Sequence, residues 1–336
     1  MTSTIAPDTQ ERQSPGEWLR KHMEAIASIG GLVFCLIFFT IMTQLKGESI
    51  WSPARLSTLM SDVIVTALMA VGAVFIYSLG NMDVSIGKQV GLYSTLLVVL
   101  GNAWGNLWAP ILVCLGIALV IAVINGAAGE LLHMYSVISS VVFMMILSGV
   151  LTFVYSTLDT RNISMTLEGL TSGIPLLKNP VFMVAVLAAE TLIISCFFYF
   201  TRFGKYARAI GANQTAAAQS GVNIVLYRVV PYVFMAFCLV TASVFQMGYT
   251  GAASESTGTG FEMNVMVSLI LGGMPLKGGM KSRVSCAIIG SFTYSLLAIG
   301  LPIIGVPVNA TFLVKAVIFV VVVLITCRQK SGVLPR

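Results

Sequence analysis

Little in this chain could break or form a covalent bond. His22 and His133 stand alone, each near the cytoplasmic end of a predicted span. The six cysteines (Cys35, Cys114, Cys196, Cys238, Cys286, Cys327) are scattered through apolar runs with no CxxC spacing, so neither a metal site nor a disulfide framework is expected. The stretch GMPLKGGMKS (273–282) resembles a phosphate-binding loop. Gly279, however, stands where lysine should follow Gly278, and no β-strand is predicted before it. There is no GxSxG, no HExxH and no carboxylate pair in a soluble setting. The sequence therefore predicts no catalytic residues, no metal and no cofactor.

The polar residues that stand out lie inside or beside apolar runs, where they can bind but have no reaction to run. Asp83 and Ser85, in NMDVSIG, precede a predicted helix and could either cap its N-terminus or face a solute path. Asn125, Ser139, Ser140 and Gln246 fall within or at the ends of predicted spans. Such uncharged groups suit a polyhydroxylated solute and serve equally as hydrogen-bonding glue between helices. Asp62 and Glu190 lie nearer the middle of apolar spans, where an ionisable group is costly and faces a partner or a cavity. Lys315 is expected to snorkel toward the outer interface.

Helices in a bilayer must position these groups. Of 336 residues, 57% are hydrophobic and only 10% charged, and mean hydropathy is +0.92, whereas a soluble domain carries roughly a quarter charged residues. The fold class is all-α and polytopic. Spans are predicted near 25–45, 57–79, 89–103, 107–126, 134–157, 181–200, 229–250, 261–276, 284–301 and 311–327, about ten in all. With the N-terminus inside, 14 of the 19 Lys and Arg fall in cytoplasmic segments, Lys46, Arg55, Arg161 and Lys178 fall outside, and Lys315 lies within a span. That bias chooses N-in, C-in. It also explains the net charge of +6 as topology, with no nucleic-acid partner implied. Residues 1–22, polar and with Pro7 and Pro15, read as a disordered cytoplasmic tail, and 23–330 as one transmembrane domain.

Two predicted spans, 89–103 and 261–276, are short. Each is the third of five in its half, and each follows a polar, glycine-rich approach: GNMDVSIGKQ (80–89) and TGAASESTGTGFE (250–262). Short or broken helices at matching positions point to a transport path and to an inverted repeat. Between the sixth and seventh predicted spans lies TRFGKYARAIGANQTAAAQSGVN (201–223), a basic, alanine-rich segment within a predicted cytoplasmic loop, 201–228. Arg202, Lys205, Arg208 and Arg228 should hold it inside. Asn213 is expected to cap a short helix and Gly221 to end it with positive φ. Gly211 should answer a positive φ or a close backbone approach. The segment reads either as a surface helix that receives motion from a soluble motor or as a solvated connector.

Three motifs carry a family resemblance: GNMDVSIG (80–87), RFGKYARAIGANQTAAAQSGVN (202–223) and GTGFEMNVMVSLILGGMPLKGG (258–279). In order and spacing they resemble the permease subunits of ribose/xylose-type carbohydrate ABC importers over about residues 25–327. That resemblance implies a partner ATPase of tandem type, an extracytoplasmic solute-binding protein, a second permease copy or sibling, and a bacterial inner membrane. It places Arg202, Gly204, Ala209, Gly211, Asn213, Ala217 and Gly221 on an ATPase-coupling loop, with Ala217 facing the ATPase. It places Asp83, Ser85 and Glu262 near the translocation path, beside Asn125, Ser139 and Gln246. Asn81, Ala212, Met274-Pro275 and the 135–140 stretch depart from the family pattern, which leaves the solute open. The implied function is import of a small polar solute, a monosaccharide or related carbohydrate. The alternative is an ion-coupled secondary transporter.

Overall fold

Each predicted span overlaps a helix in the computed structural model, which describes residues 15–132, 134–158, 160, 162–164 and 174–326. In chain order these are α1 (Pro15–Leu45), α2 (Pro53–Ser78), α3 (Ile86–Trp104), α4 (Trp108–Leu131), α5 (Ser136–Thr157), β1 (Asn162–Ser164), α6 (Ile174–Leu177), α7 (Pro180–Phe200), α8 (Arg202–Ala212), α9 (Gln214–Gln219), α10 (Ile224–Thr250), β2 (Ala252–Ser254), α11 (Phe261–Leu271), α12 (Ser285–Ile303) and α13 (Val308–Thr326). Among the described residues, seven of the helices are long and apolar enough to cross a membrane. The chain is a multi-pass membrane protein.

Helix α2 is the axis of the bundle, packed against α7, α10, α11 and α12. Pro53 starts it, where a missing N–H costs nothing. Small residues let its neighbours close in: a Cβ on Gly72 would sit 2.7 Å from Cys238 Cβ on α10. Asn223 starts α10 by accepting from Leu226 N at 3.1 Å, and Gly251, at φ +66°, ends it. Around this core, α1, α4, α5, α7 and α13 expose large apolar side chains such as Phe34, Leu112, Phe153, Leu192 and Leu313. Lipid is the natural solvent for such a surface.

Four features differ from expectation. Helix α1 already begins at Pro15, so residues 15–22, expected in the disordered tail, are helical; the rest of that tail lies outside the described residues. Helix α10 begins at Ile224, inside the predicted 201–228 loop. Helix α3 has 19 residues and α11 only 11, so the two predicted short spans are unequal. Finally, β1 and β2 form an antiparallel pair, with Ile163 opposite Ala253, in a chain expected to be all-α. The pairing joins segments far apart in sequence and too brief for an alternating pattern to register.

Candidate functional site

The 201–223 segment folds as two helices at an angle, α8 and α9. Gly204 lets α8 turn sharply off α7, since a Cβ there would overlap the Phe198 backbone. Arg208 donates to the Gly204 carbonyl at 3.1 Å and lies over the Phe198 ring, 5.1 Å from its centroid. Asn213 breaks the helix in an extended conformation, and its side chain accepts from Ala216 N at 3.0 Å. Gly221 closes the segment at φ +80°. Arg202 is exposed and Ala209 half-buried, its carbonyl accepting from Asn213 N. Ala217 is the buried residue of α9, while Ala216 and Ala218 are exposed. The outward-facing position expected for Ala217 is thus corrected: its helical phase turns it into the protein.

Gly211 sits in α8 without positive φ; close approach is what requires it. A Cβ there would overlap the carbonyl oxygen of Ser78, at the end of α2, and lie 2.8 Å from Gly279 N. Gly279 N itself donates to Ser78 O at 2.8 Å. Gly278 and Gly279 both have positive φ, and a Cβ on Gly80 would stand 2.8 Å from the Lys277 carbonyl oxygen. Three backbones therefore meet without side chains between them: the end of α2, the α11–α12 connection and α8. This accounts for the glycines of the phosphate-loop lookalike, which serve packing. Beside the joint is a polar cavity of about 620 Å³ bordered by Asn81, Ser136, Gly211, Gln214, Arg228 and Lys277.

From that joint, residues 79–85 enter the bundle without helical structure, and their polar groups are satisfied by side chains. Ser136 Oγ donates to the Met82 carbonyl at 3.2 Å and lies 2.9 Å from Tyr232 Oη. Val84 N donates to Ser140 Oγ at 3.1 Å. Asp83 is 2% exposed. Its Oδ1 accepts from Ser85 N at 2.8 Å and from Ser85 Oγ at 2.6 Å, and its Oδ2 accepts from Asn125 Nδ2 at 3.3 Å. Gln89 Nε2 donates to Ser85 Oγ at 2.8 Å, and Tyr93 Oη donates to Gln89 Oε1 at 3.1 Å. Neither Asp83 nor Ser85 makes a side-chain cap to the first turn of α3: Asp83 turns back onto the N–H two residues on.

Of the predicted path residues, then, Asp83, Ser85 and Asn125 come together. Ser139 is also buried, but it donates to the Ser136 carbonyl of its own helix. Glu262, half-buried in the first turn of α11, lies against Gly87. Gln246, half-buried toward the far end of α10, stands apart from the cluster. Sequence reasoning missed Gln89 and Tyr93, although Ser85, Gln89 and Tyr93 recur every four residues along one helical face. Ser140 was singled out only as a general polar group, and the Ser136–Tyr232 pair carries no local signal. Lys88 donates to Thr259 Oγ1 at 3.1 Å. Lys315 turns inward to donate to Tyr294 Oη at 2.9 Å, and Tyr294 in turn donates to Asn264. Its predicted snorkelling is thereby corrected, since Tyr294 and the charge of Asp62 offer the ammonium partners inside the bundle.

Residues 55–325 match the family described as branched-chain amino acid transport system / permease component. The ribose import permease of Escherichia coli K12 is 25% identical over 310 residues, covering 89% of this chain and 93% of that protein. The autoinducer 2 import system permease of Salmonella typhi is 25% identical over 296 residues, covering 87% and 82%. The galactose/methyl galactoside import permease of Escherichia coli K12 is 24% identical over 310 residues, covering 87% and 91%.

Proposed function

The chain belongs to the family of branched-chain amino acid transport system permease components, and from that premise we propose that it is the membrane subunit of an ATP-driven importer for a monosaccharide or related carbohydrate. The names of its ribose, galactose and autoinducer 2 relatives favour such a solute. A cytoplasmic ATPase of tandem type, an extracytoplasmic binding protein and a second permease copy or sibling complete the machine in the bacterial inner membrane. Ten crossings with both termini in the cytoplasm fit the bias of basic residues. The two five-span halves then run in opposite directions, as an inverted repeat requires.

The observation that carries this reading is the glycine joint at Gly211. Helices α8 and α9 lie outside the spans, yet α8 rests directly on the backbone of the central helix α2 and of the α11–α12 connection. Motion of a docked ATPase, received by α9, passes through α8 with no flexible side chain in between. The 79–85 segment starts at that joint and ends on α4 and α5 through Asn125 and Ser140, so the same displacement reaches the buried cluster. Arg202, Gly204, Ala209, Gly211, Asn213, Ala217 and Gly221 build and aim this element. Asp83, Ser85, Asn125 and Ser139 shape the path from behind it, with Glu262 and Gln246 further along.

The ion-coupled alternative needs a buried carboxylate with room for a cation. Its candidates by position, Asp62 and Glu190, lie on α2 and α7, the second span of one half and the first of the other, so they form no repeat-related pair, which favours the ATP-driven reading. The deciding experiment reconstitutes the chain with its partner ATPase and binding protein in vesicles and follows labelled ribose, galactose and related sugars. Uptake should require ATP and survive ionophores that collapse ion gradients. Uptake that follows an ion gradient without ATP would overturn the importer reading.

A further inference from the structure

The connection between α10 and α11 brings charged groups to a depth where lipid cannot serve them. Strand β2 pairs with β1 just beyond the end of α5, and from there residues 255–260 run inward along α3 and α5. Thr152 Oγ1 donates to Glu255 Oε1 at 2.7 Å. A Cβ on Gly91 would lie 2.5 Å from the Thr257 carbonyl oxygen and 3.3 Å from Leu151 Cδ1, and Gly258 meets Gly87 backbone to backbone. Leu151 is about 9 Å below the end of α5, and Gly87, one turn before Gly91, about 15 Å below it. That is half of a hydrocarbon layer about 30 Å thick.

Between this depth and the end of α5, Ser256 and Thr259 are exposed on the surface of the chain, and Lys88, Glu255 and Glu262 are half-exposed. Lys88, expected from the sequence in a cytoplasmic segment, bonds to Thr259, which leaves 13 basic residues inside against the same 4 outside. Hydrocarbon satisfies neither a non-helical backbone nor three ionisable side chains, and a dry contact with another protein would bury charges at a cost. Water satisfies both. We propose that Lys88, Thr152, Glu255, Thr259 and Glu262 line a water-filled solute path, and that its two carboxylates against one ammonium admit neutral polyhydroxylated solutes while disfavouring anionic ones such as sugar phosphates. The choice of solute rests on the importer reading above; the lining stands on the placement of these groups.

The test places single cysteines at Thr259 and Ser256 in full-length protein with Cys35, Cys196 and Cys327 replaced by serine, held in lipid nanodiscs so that both faces meet solvent. Cationic and anionic methanethiosulfonates are the probes, each rate normalised to that with free cysteine. Thr259→Cys and Ser256→Cys should react at least about tenfold faster than Leu192→Cys on the apolar outer side of α7. The cationic reagent should lead the anionic one by roughly fivefold to tenfold, as one net charge some 6 Å away predicts, and Glu255→Gln should bring the two rates together. Reaction no faster than at Leu192→Cys would overturn the path. Equal rates in the parent would overturn the charge selection. Neither result depends on ATP, so a failure of ATP-driven uptake alone would strike the importer reading and leave this proposal in place.

Discussion

The segments 80–91 and 257–279 meet twice, and the two meetings are built alike but surrounded differently. At one, Gly80 and Gly278 bring the end of α2 against the α11–α12 connection; at the other, Gly87 and Gly258 bring the start of α3 against the approach to α11. Both are backbone-on-backbone contacts in which a Cβ would overlap main-chain atoms. The first admits a third backbone, that of α8 at Gly211. The second is ringed by the polar side chains of Lys88, Thr259 and Glu262. On the function proposed above, one glycine joint passes motion between rigid parts, and the other holds an irregular backbone beside the solute. Close packing is what they share, because a packed contact transmits displacement where a loose one absorbs it.

The largest effect should come from spoiling the first joint. Gly211→Val forces α8 away from the Ser78 carbonyl, and overpacking of this kind costs about 1–3 kcal/mol. ATP-driven uptake in vesicles should fall more than about tenfold while the amount of protein in the membrane holds, since α8 lies outside the spans. Normal uptake would mean that the contact carries no motion. Next in size is Gly258→Ala at the second joint, where the new Cβ meets Gly87 and φ is +80°. It should destabilise the protein by about 1–3 kcal/mol, visible as an earlier thermal unfolding in detergent. Unchanged unfolding would remove the likeness between the joints.

A smaller change tests the segment between them. Asp83→Asn keeps the volume but replaces one accepting oxygen with a donor. Both carboxylate oxygens now accept, from Ser85 and from Asn125, so one donor is left facing another at a cost of about 1–3 kcal/mol. Uptake should drop several-fold with membrane expression intact. Wild-type uptake would reduce the cluster to packing.

Much of this was legible in the sequence because its causes are local. Apolar runs marked the helices, the Asn213 cap follows from its place before an alanine run, and Gly221 has the predicted positive φ. What stayed hidden depends on partners distant in the chain. Nothing near Gly211 names Ser78 or Gly279, so the sequence offered two grounds for the glycine and the structure selected one. Ser140, and not Ser139, reaches Val84 because helical phase decides which of two adjacent serines faces the incoming segment. Ala217 turned inward for the same reason, its six-residue helix being too short for a readable periodicity. Lys315 bends inward because Tyr294 and Asp62 wait on helices far away in sequence.

The central claim, that α9 receives the motion of a partner ATPase, is tested most directly by the two faces of that helix. Ala218→Arg adds charge and bulk to an exposed position, and Ala217→Arg forces both into a buried one. The measurement is the amount of partner ATPase that co-purifies with each variant, per folded permease by size-exclusion profile. Ala218→Arg should give a normal permease yield and profile with the ATPase largely lost, because an unpaired charge at an interface is costly; Ala217→Arg should instead lower the yield of folded permease. Full ATPase recovery with Ala218→Arg would contradict the account.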